Sequence, residues 1–150
     1  MKFAAHQFTR VEQMLEPASY VAAAELFSAS IDCRGYDELL IVVNVGVATA
    51  TGDVTMIVED SADDVTFADI DLDADGVDDA TFAEIALAND QTVFVGRINC
   101  ASVRRYVRVG YDVDDDAVIF GITGVLLHPK YAPSTQVNAV AFNVDGDLVE

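Results

Sequence analysis

The stretch ELLIVVNVGVATATGDVTMIVEDS, Glu38–Ser61, carries the pattern on which the fold prediction depends. It begins with a continuous Val/Leu/Ile run of strand length, Glu38–Val47, which is typical of a strand covered on both faces. The segment DVTMIVED then alternates, with Val54, Met56 and Val58 on one side and polar residues on the other. The intervening TATGD supplies the Gly and Asp that turns favour. Two consecutive strands joined by a short turn are therefore predicted.

The same pattern continues along the chain. The segments QTVFVGRINC, RRYVRVGYDV and AVIFGITGVLLHP are rich in β-branched and aromatic residues, as strands are. Helical periodicity is scarce, although VEQMLEPASYVAAAELF permits a helical turn that Pro17 would interrupt. Roughly seven or more short strands at hairpin spacing predict an all-β fold, an antiparallel β-sandwich or jelly-roll-like domain with extended terminal arms.

The length of 150 residues predicts one domain. Residues 1–20 are expected to form an N-terminal arm or edge strand, and residues 129–150 a C-terminal arm. No segment reaches the roughly 18 uninterrupted apolar residues of a transmembrane helix, so no membrane contact is expected. The first residues, MKFAAHQFTRVEQM, lack the apolar region and cleavage site of a signal peptide, which predicts synthesis and folding in a cytoplasm.

The charge balance is strongly acidic, with 26 acidic against 8 basic residues and a formal net charge of -18. Such a surface repels phosphate backbones, so nucleic-acid binding is not expected. It would keep the molecule soluble and attract divalent cations or a basic partner surface. A solvated acidic surface suited to a salty habitat is an equally weighted alternative.

The chain contains two cysteines, Cys33 and Cys100, each at the end of an apparent strand. Without a secretion signal they are expected to be free buried thiols rather than a disulfide. The two imidazoles, His6 and His128, are not near either cysteine in sequence, which argues against a zinc site.

The stretch DLDADGVDDA, Asp71–Ala80, resembles a calcium-binding loop. Its candidate ligands for a weak calcium site are Asp71, Asp73, Asp75 and Asp79. Gly76 stands at the sixth position, where such a loop turns sharply, but the twelfth position is Phe82 instead of a bidentate Glu. A solvated acidic turn is the favoured alternative, and no cofactor is expected to be required.

The segments that flank this loop, TFADI and TFAEIAL, echo each other. Both have the composition of short strands, which predicts the two arms of one hairpin with the aspartates at its tip.

No catalytic pattern is present in the sequence. It contains no G-x-S-x-G, no P-loop and no dinucleotide-binding glycine pattern, and no His lies next to a plausible nucleophile. The acidic residues cluster in turns rather than as isolated carboxylates among apolar residues. The chain is therefore predicted not to be an enzyme.

Four of the eight basic residues fall between Arg97 and Arg108. If RRYVRVGY is a strand, Arg104, Tyr106 and Arg108 share one face, and Val107 lies on the opposite one. Because Arg and Tyr favour protein interfaces, these three residues are predicted to contact another subunit. Pairing with Asp side chains of the same chain is the alternative, and it is slightly favoured.

Residues 28–127 resemble the small structural proteins of tailed bacteriophages. In that group an Ile-Asp strand and a Gly-Tyr turn lead to a Val-rich strand, then a GxVTxxVEDS strand, a FADI strand, a Gly-Arg-Ile strand and an RRYVRV strand. The matching elements are Ile31-Asp32, Gly35-Tyr36, Gly46, Gly52–Ser61, Phe67–Ile70, Gly96–Ile98 and Arg104–Val109. The acidic stretch Asp71–Asp79 lies outside this pattern.

The resemblance implies a capsid decoration protein, also called a cement or head-stabilising protein, with a β-sandwich or jelly-roll-like fold. Such a protein is made in the host cytoplasm, binds the outer capsid surface of the virion, commonly as a homotrimer, and bridges major capsid proteins. Its partners would be the major capsid protein and itself, and no catalytic residues are implied. Two alternatives are a phage tail or head–tail connector component and a calcium-assisted carbohydrate-binding module, against which the absence of Trp counts.

Overall fold

The computed structural model describes residues 9–21, 25–48, 51–71, 80–82, 84–86, 91–130, 141–142 and 148–149. This part of the chain is built from strands, and it contains no helix long and apolar enough to cross a bilayer. The strands are β1 Thr9–Tyr20, β2 Leu26–Phe27, β3 Ile31–Asp32, β4 Tyr36–Ala48, β5 Asp53–Ser61, β6 Ala68–Asp69, β7 Val93–Asn99, β8 Tyr106–Asp114, β9 Val118–Pro129, β10 Ala141–Phe142 and β11 Leu148–Val149.

Two antiparallel sheets form the body of the molecule. The four-stranded sheet has the order β1-β9-β4-β7. The five-stranded sheet has the order β2-β8-β5-β6, and β3 also pairs with β8. Strands β10 and β11 pair with each other. The predicted all-β antiparallel sandwich is confirmed.

The core lies between the two sheets, and strand alternation decides which residues enter it. In β5 the predicted inner residues Val54, Met56 and Val58 are all buried. Phe120 of β9 is fully buried, with its ring centroid 4.8 Å from that of Tyr20 and 5.4 Å from that of Tyr111. Other core residues are Leu39, Ile41, Val43, Val107, Val109, Val113, Ile122 and Leu126.

The first described strand, β1, departs from one sequence expectation. The helical turn permitted before Pro17 is wrong, because Thr9–Tyr20 forms an edge strand on β9. The register shifts between Gln13 and Leu15 and again between Leu15 and Ala18, so Pro17 lies in an irregular part of the ladder. An edge strand tolerates this residue because the missing N–H can fall outside the ladder.

The predicted arms fall partly on residues outside the described ranges. Of residues 1–20, those from Thr9 onward form β1. Of residues 129–150, the structure describes Pro129 at the end of β9, Lys130, and the β10–β11 pairing. The division into one domain with two arms stays a prediction.

The predicted hairpin around the acidic stretch is wrong. Strand β6 pairs with β5 at Asp60 and Glu59, and Thr81 and Ile85 form bridges further along β5. Both flanks therefore pair with β5 in the same antiparallel sense. Because β8 occupies the other edge of β5, the two flanks lie on one edge and run in one direction.

The backbone hydrogen bonds of Val58 show that both flanks of the acidic stretch reach the same point of β5. The Ile70 N–H donates to the Val58 carbonyl at 3.3 Å, and the Val58 N–H donates to the Ala80 carbonyl at 2.8 Å. Residues 70 and 80 thus contact the same residue of β5. The described flanks of the acidic stretch therefore follow one another along β5 instead of pairing with each other as a hairpin would.

Candidate interaction surfaces

The outer face of the four-stranded sheet carries a group of neighbouring apolar side chains. One cross-strand row runs from β1 to β7 through Val11, Val125, Leu40 and Arg97. The next row runs in the same order through Gln13, Thr123, Val42 and Val95. Leu127 and Glu38 lie in the row on one side of these, and Val93 lies in the row on the other. We call the following residues the apolar face: Val11, Leu40, Val42, Val93, Val95, Val125 and Leu127.

The apolar face is accessible at both edges of its sheet. Val11 on β1 is 45% exposed, and Val93 and Val95 on β7 are 55% and 60% exposed. The charged pair on this face is Glu38 with Arg97, whose Nε lies 2.6 Å from the Glu38 carboxylate. Because the two charges neutralise each other, the face carries little net charge although the protein is strongly acidic.

The outer face of the five-stranded sheet has the opposite character. Asp53 of β5 pairs with Asp114 of β8, Thr55 pairs with Asp112, and Glu59 pairs with Arg108. We call Asp53, Glu59, Asp112 and Asp114 the acidic face. Its carboxylates outnumber its one guanidinium, so it repels other acidic surfaces.

Arg108 is fixed on the acidic face by groups of its own chain. Its Nε donates to the Glu59 carboxylate at 2.6 Å. Its guanidinium carbon lies 3.7 Å from the ring centroid of Phe27 and 4.0 Å from that of Phe67. Such cation–π contacts and a charge-assisted hydrogen bond hold the side chain in one position.

Arg104 lies just before β8 rather than within it. Its backbone N–H donates to Asp60 at 2.7 Å, and its Nε donates to the other oxygen of the same carboxylate at 2.6 Å. Asp60 is 6% exposed, so this arginine neutralises a nearly buried charge.

Tyr106 lies beside a third paired arginine. The Arg105 guanidinium carbon is 4.6 Å from the Tyr106 ring centroid, and its Nη2 donates to Asp32 at 2.6 Å. This hydrogen bond from Arg105 holds the pKa of Asp32 below its ordinary value, against the opposing effect of burial.

Within β8, Tyr106 and Arg108 lie on the side of the strand opposite to Val107, as the alternation predicts. Both are half-buried, whereas Val107 is buried. Arg104 and Arg108 make the intramolecular acid pairs that the alternative interpretation favoured. A subunit contact through Arg104, Tyr106 and Arg108 stays a prediction. Sequence reasoning missed the apolar face, although the run Glu38–Val47 signalled it by being apolar on both sides of a strand.

The candidate calcium ligands lie mostly outside the described ranges. Asp71 is described and exposed, whereas Asp73, Asp75 and Asp79 are not among the described residues. Within the described part of the chain no three His, Cys, Asp or Glu side chains come together as metal ligands. The weak calcium site stays a prediction.

A cavity of about 550 Å³ opens between the two sheets at the β7 edge. Ile70, Phe82, Phe94, Ile98 and Val103 contribute its apolar lining. Phe82 fills the space above the backbone of β7, since a Cβ at position 96 would lie 2.8 Å from its ring. The cavity therefore lies beside both described flanks of the acidic stretch, at Ile70 and Phe82.

No family model matches the chain, and no curated protein matches it. Among solved structures, the chain is similar to a chain of infectious bursal disease virus, Gx strain, with a TM-score of 0.48 and 10% identity over 80% of its length. A crystal structure of the VP2 subviral particle of the same virus gives a TM-score of 0.47 with 10% identity, again over 80% of this chain. The chain spans about a third of those viral chains, 32% and 33%.

A further similarity is to a chain from Bacillus endospore appendages, described as a family of disulfide-linked pili. It has a TM-score of 0.43 and 15% identity, and it covers 87% of this chain and 98% of that one.

Proposed function

We propose that this chain is a virion structural protein of a tailed bacteriophage that decorates the outer surface of the head. It would bind there without catalysing a reaction, bridge neighbouring major capsid proteins, and assemble as a homotrimer. Two lines of argument support the proposal. Residues 28–127 resemble phage structural proteins in the order of their strand motifs, and the molecule has one apolar outer face suited to a protein partner.

The apolar face is the observation that carries the proposal. Four strands at a spacing of about 4.8 Å and four residue rows at about 6.8 Å give a sheet face on the order of 500 Å², which the apolar side chains share with polar ones. Apolar patches of a few hundred Å² on soluble proteins are often interaction sites. Val93 and Val95 are more than half exposed, so their transfer out of water on binding would favour association.

This area is smaller than the roughly 800 Å² per partner that stable protein interfaces bury. A single copy would therefore bind weakly through this face alone. Several copies joined to each other would bind together with much higher avidity, which favours an oligomer at the capsid surface.

The acidic face complements this role. In the bound state it would point away from the capsid and repel other acidic copies, which keeps decoration to one layer. Because the protein would bind the assembled lattice and not free capsid subunits, binding would stabilise the lattice by mass action.

The proposal is tested by adding purified protein to heads that lack it and measuring the bound amount by sedimentation. Val95→Asp places a charge in the middle of the apolar face and is expected to reduce the affinity at least roughly tenfold. Val65→Asp is the matched control, because Val65 is 80% exposed in the connection between β5 and β6. It should bind like the wild type.

Equal binding of the two variants would contradict the assignment of the apolar face. Absence of the chain from purified particles, or unchanged head stability without it, would contradict the function itself. Copy number distinguishes the connector alternative, since decoration requires hundreds of copies per particle and a connector only a few or tens. Native mass spectrometry of the purified chain tests the trimer.

A further inference from the structure

The two cysteines, distant in sequence, meet at one end of the sandwich. Cys33 directly follows β3 of the five-stranded sheet, and its N–H donates to the Arg105 carbonyl at 2.8 Å. Cys100 directly follows β7 of the four-stranded sheet, and its N–H donates to the Asp37 carbonyl at 3.0 Å. Both positions are therefore fixed by backbone hydrogen bonds.

The two cysteines line the same cavity, and their thiols are close enough to influence each other's acidity. Neither is in a disulfide. Cys33 is buried at 3% exposure, whereas Cys100 is half-buried. The pair thus consists of one inner thiol and one outer thiol.

Three basic side chains line the space beside the pair, and two of them also pair with acids, Arg105 with Asp32 and Lys130 with Asp37. A cavity of about 220 Å³ is lined by Cys33, Cys100, Arg34, Arg105 and Lys130. These three bases are among only eight in the protein. Cationic groups beside a thiol favour its thiolate form and attract anionic reagents.

The two thiols differ in acidity. The hydrogen bond with Cys100, and then burial, raise the pKa of Cys33. The hydrogen bond from Cys33 lowers the pKa of Cys100, burial opposes this effect, and Lys130 lowers the pKa further. Cys100 is accordingly the more reactive nucleophile, since the thiolate is the attacking species.

We propose that Cys33 and Cys100 form an intramolecular disulfide by exchange with an anionic low-molecular-weight disulfide that enters the cavity that they line. The bond would join the end of β3 to the end of β7, and so would link the two sheets covalently. Independent of the function proposed above, this assigns Cys100 as the attacking thiol and Cys33 as the resolving thiol.

The exchange proceeds in two steps. The Cys100 thiolate attacks one sulfur of the reagent, the reagent's S–S bond breaks, and one small thiolate leaves. Cys33 then attacks the Cys100 sulfur of this mixed disulfide, and the second small thiolate leaves. The two protein thiols lose two electrons and two protons, while the reagent is reduced to two thiols that carry those protons.

Such a bond would close a long loop that contains β4, β5, β6 and β7. Cross-linking a long loop restricts the unfolded chain, and the stabilisation grows with loop length. In a glutathione-reducing cytoplasm the thiols would stay reduced, and they would form the bond when the protein reaches an oxidising medium.

The test uses the full chain and oxidised glutathione as the reagent. Intact mass and alkylation by iodoacetamide are followed over time. The wild type should lose two hydrogen atoms in mass and both alkylatable thiols, with a Cys33–Cys100 link in its peptide map. Oxidation should raise Tm by roughly 10 °C, and dithiothreitol should reverse the rise.

Single variants distinguish the two roles. Cys33→Ala should end as a stable glutathione adduct at Cys100, because no resolving thiol is present. Cys100→Ala should react at least about tenfold more slowly, because Cys33 is buried. A stable adduct on the wild type, disulfide-linked dimers, or two thiols that survive oxidation would each overturn the proposal. The wild-type peptide map decides the question even if a variant fails to fold.

Discussion

The two outer faces of the sandwich differ although strands of the same kind build both. The face of the four-stranded sheet presents Val11, Val93 and Val95 to solvent. The face of the five-stranded sheet presents Asp112 and Asp114, and its arginine is already paired with Glu59. An inner face must be apolar for the chain to fold, but an outer face is free to vary. The difference is therefore not required by the formation of the core.

The five-stranded sheet also shows how this protein uses its few basic residues. Arg104, Arg105 and Arg108 each bond a carboxylate of the same chain at 2.6 Å. These pairs connect β8 and the residues before it to β3 and β5. The five-stranded sheet thus gains stability from these partly buried ion pairs, whereas the ion pair on the apolar face, Arg97 with Glu38, has an arginine that is 70% exposed.

The sharpest test of this comparison uses two neighbouring residues of β4. Ile41 is fully buried on the inner side, and Val42 is half-buried on the outer side. Ile41→Ala should lower the free energy of unfolding by about 2–5 kcal/mol, because it leaves a cavity in the core. Val42→Ala should lower it by less than about 1 kcal/mol, because its side of the sheet remains accessible. Urea denaturation measures both.

If Val42→Ala lowered the free energy of unfolding as much as Ile41→Ala, the contrast between the inner and outer sides of the sheet would be wrong. Such a loss would mean that the outer side of β4 is covered within the monomer. In that case the apolar face would be part of a core and not a docking surface.

A second test compares one ion pair from each sheet. Arg104→Ala leaves Asp60 nearly buried without its guanidinium, which should cost about 1–3 kcal/mol, with the partial exposure of Arg104 limiting the loss. Arg97→Ala removes a guanidinium that is 70% exposed and should cost less than about 1 kcal/mol. Thermal unfolding in low and high salt distinguishes them, and equal losses would contradict the structural role given to Arg104.

The sequence was sufficient to predict most of the long strands and the inward side of β5 and β8. Alternation in DVTMIVED and RRYVRV identifies the buried residues because burial on one face imposes a period of two on any strand. The same rule identified Tyr106 and Arg108 as outward-facing. The all-β sandwich followed from these local patterns together with the spacing of the turns.

Non-local pairing could not be predicted in this way. The partners of Arg104 and Arg108 lie 44 and 49 residues away, and the sequence between them does not reveal which acid comes close. The flanks of the acidic stretch echo each other because both contact β5, but this similarity looks the same for a hairpin. The proximity of Cys33 and Cys100 likewise depends on two different sheets ending at the same place.

The smallest expected effect concerns the acid dependence of the five-stranded sheet. The pKa of Asp32 is lowered in the folded state by the hydrogen bond from Arg105. A carboxylate with a lowered folded-state pKa adds stability above its unfolded pKa of about 4, and this stability is lost as the pH falls through the folded pKa. Asp32→Asn should therefore reduce the stability difference between about pH 7 and pH 3 by on the order of 1 kcal/mol or less, since the pair is partly exposed. Asp37→Asn, at a carboxylate 61% exposed, is the control. If both variants kept the full pH dependence, the Asp32–Arg105 pair would have no role in holding β3 on β8.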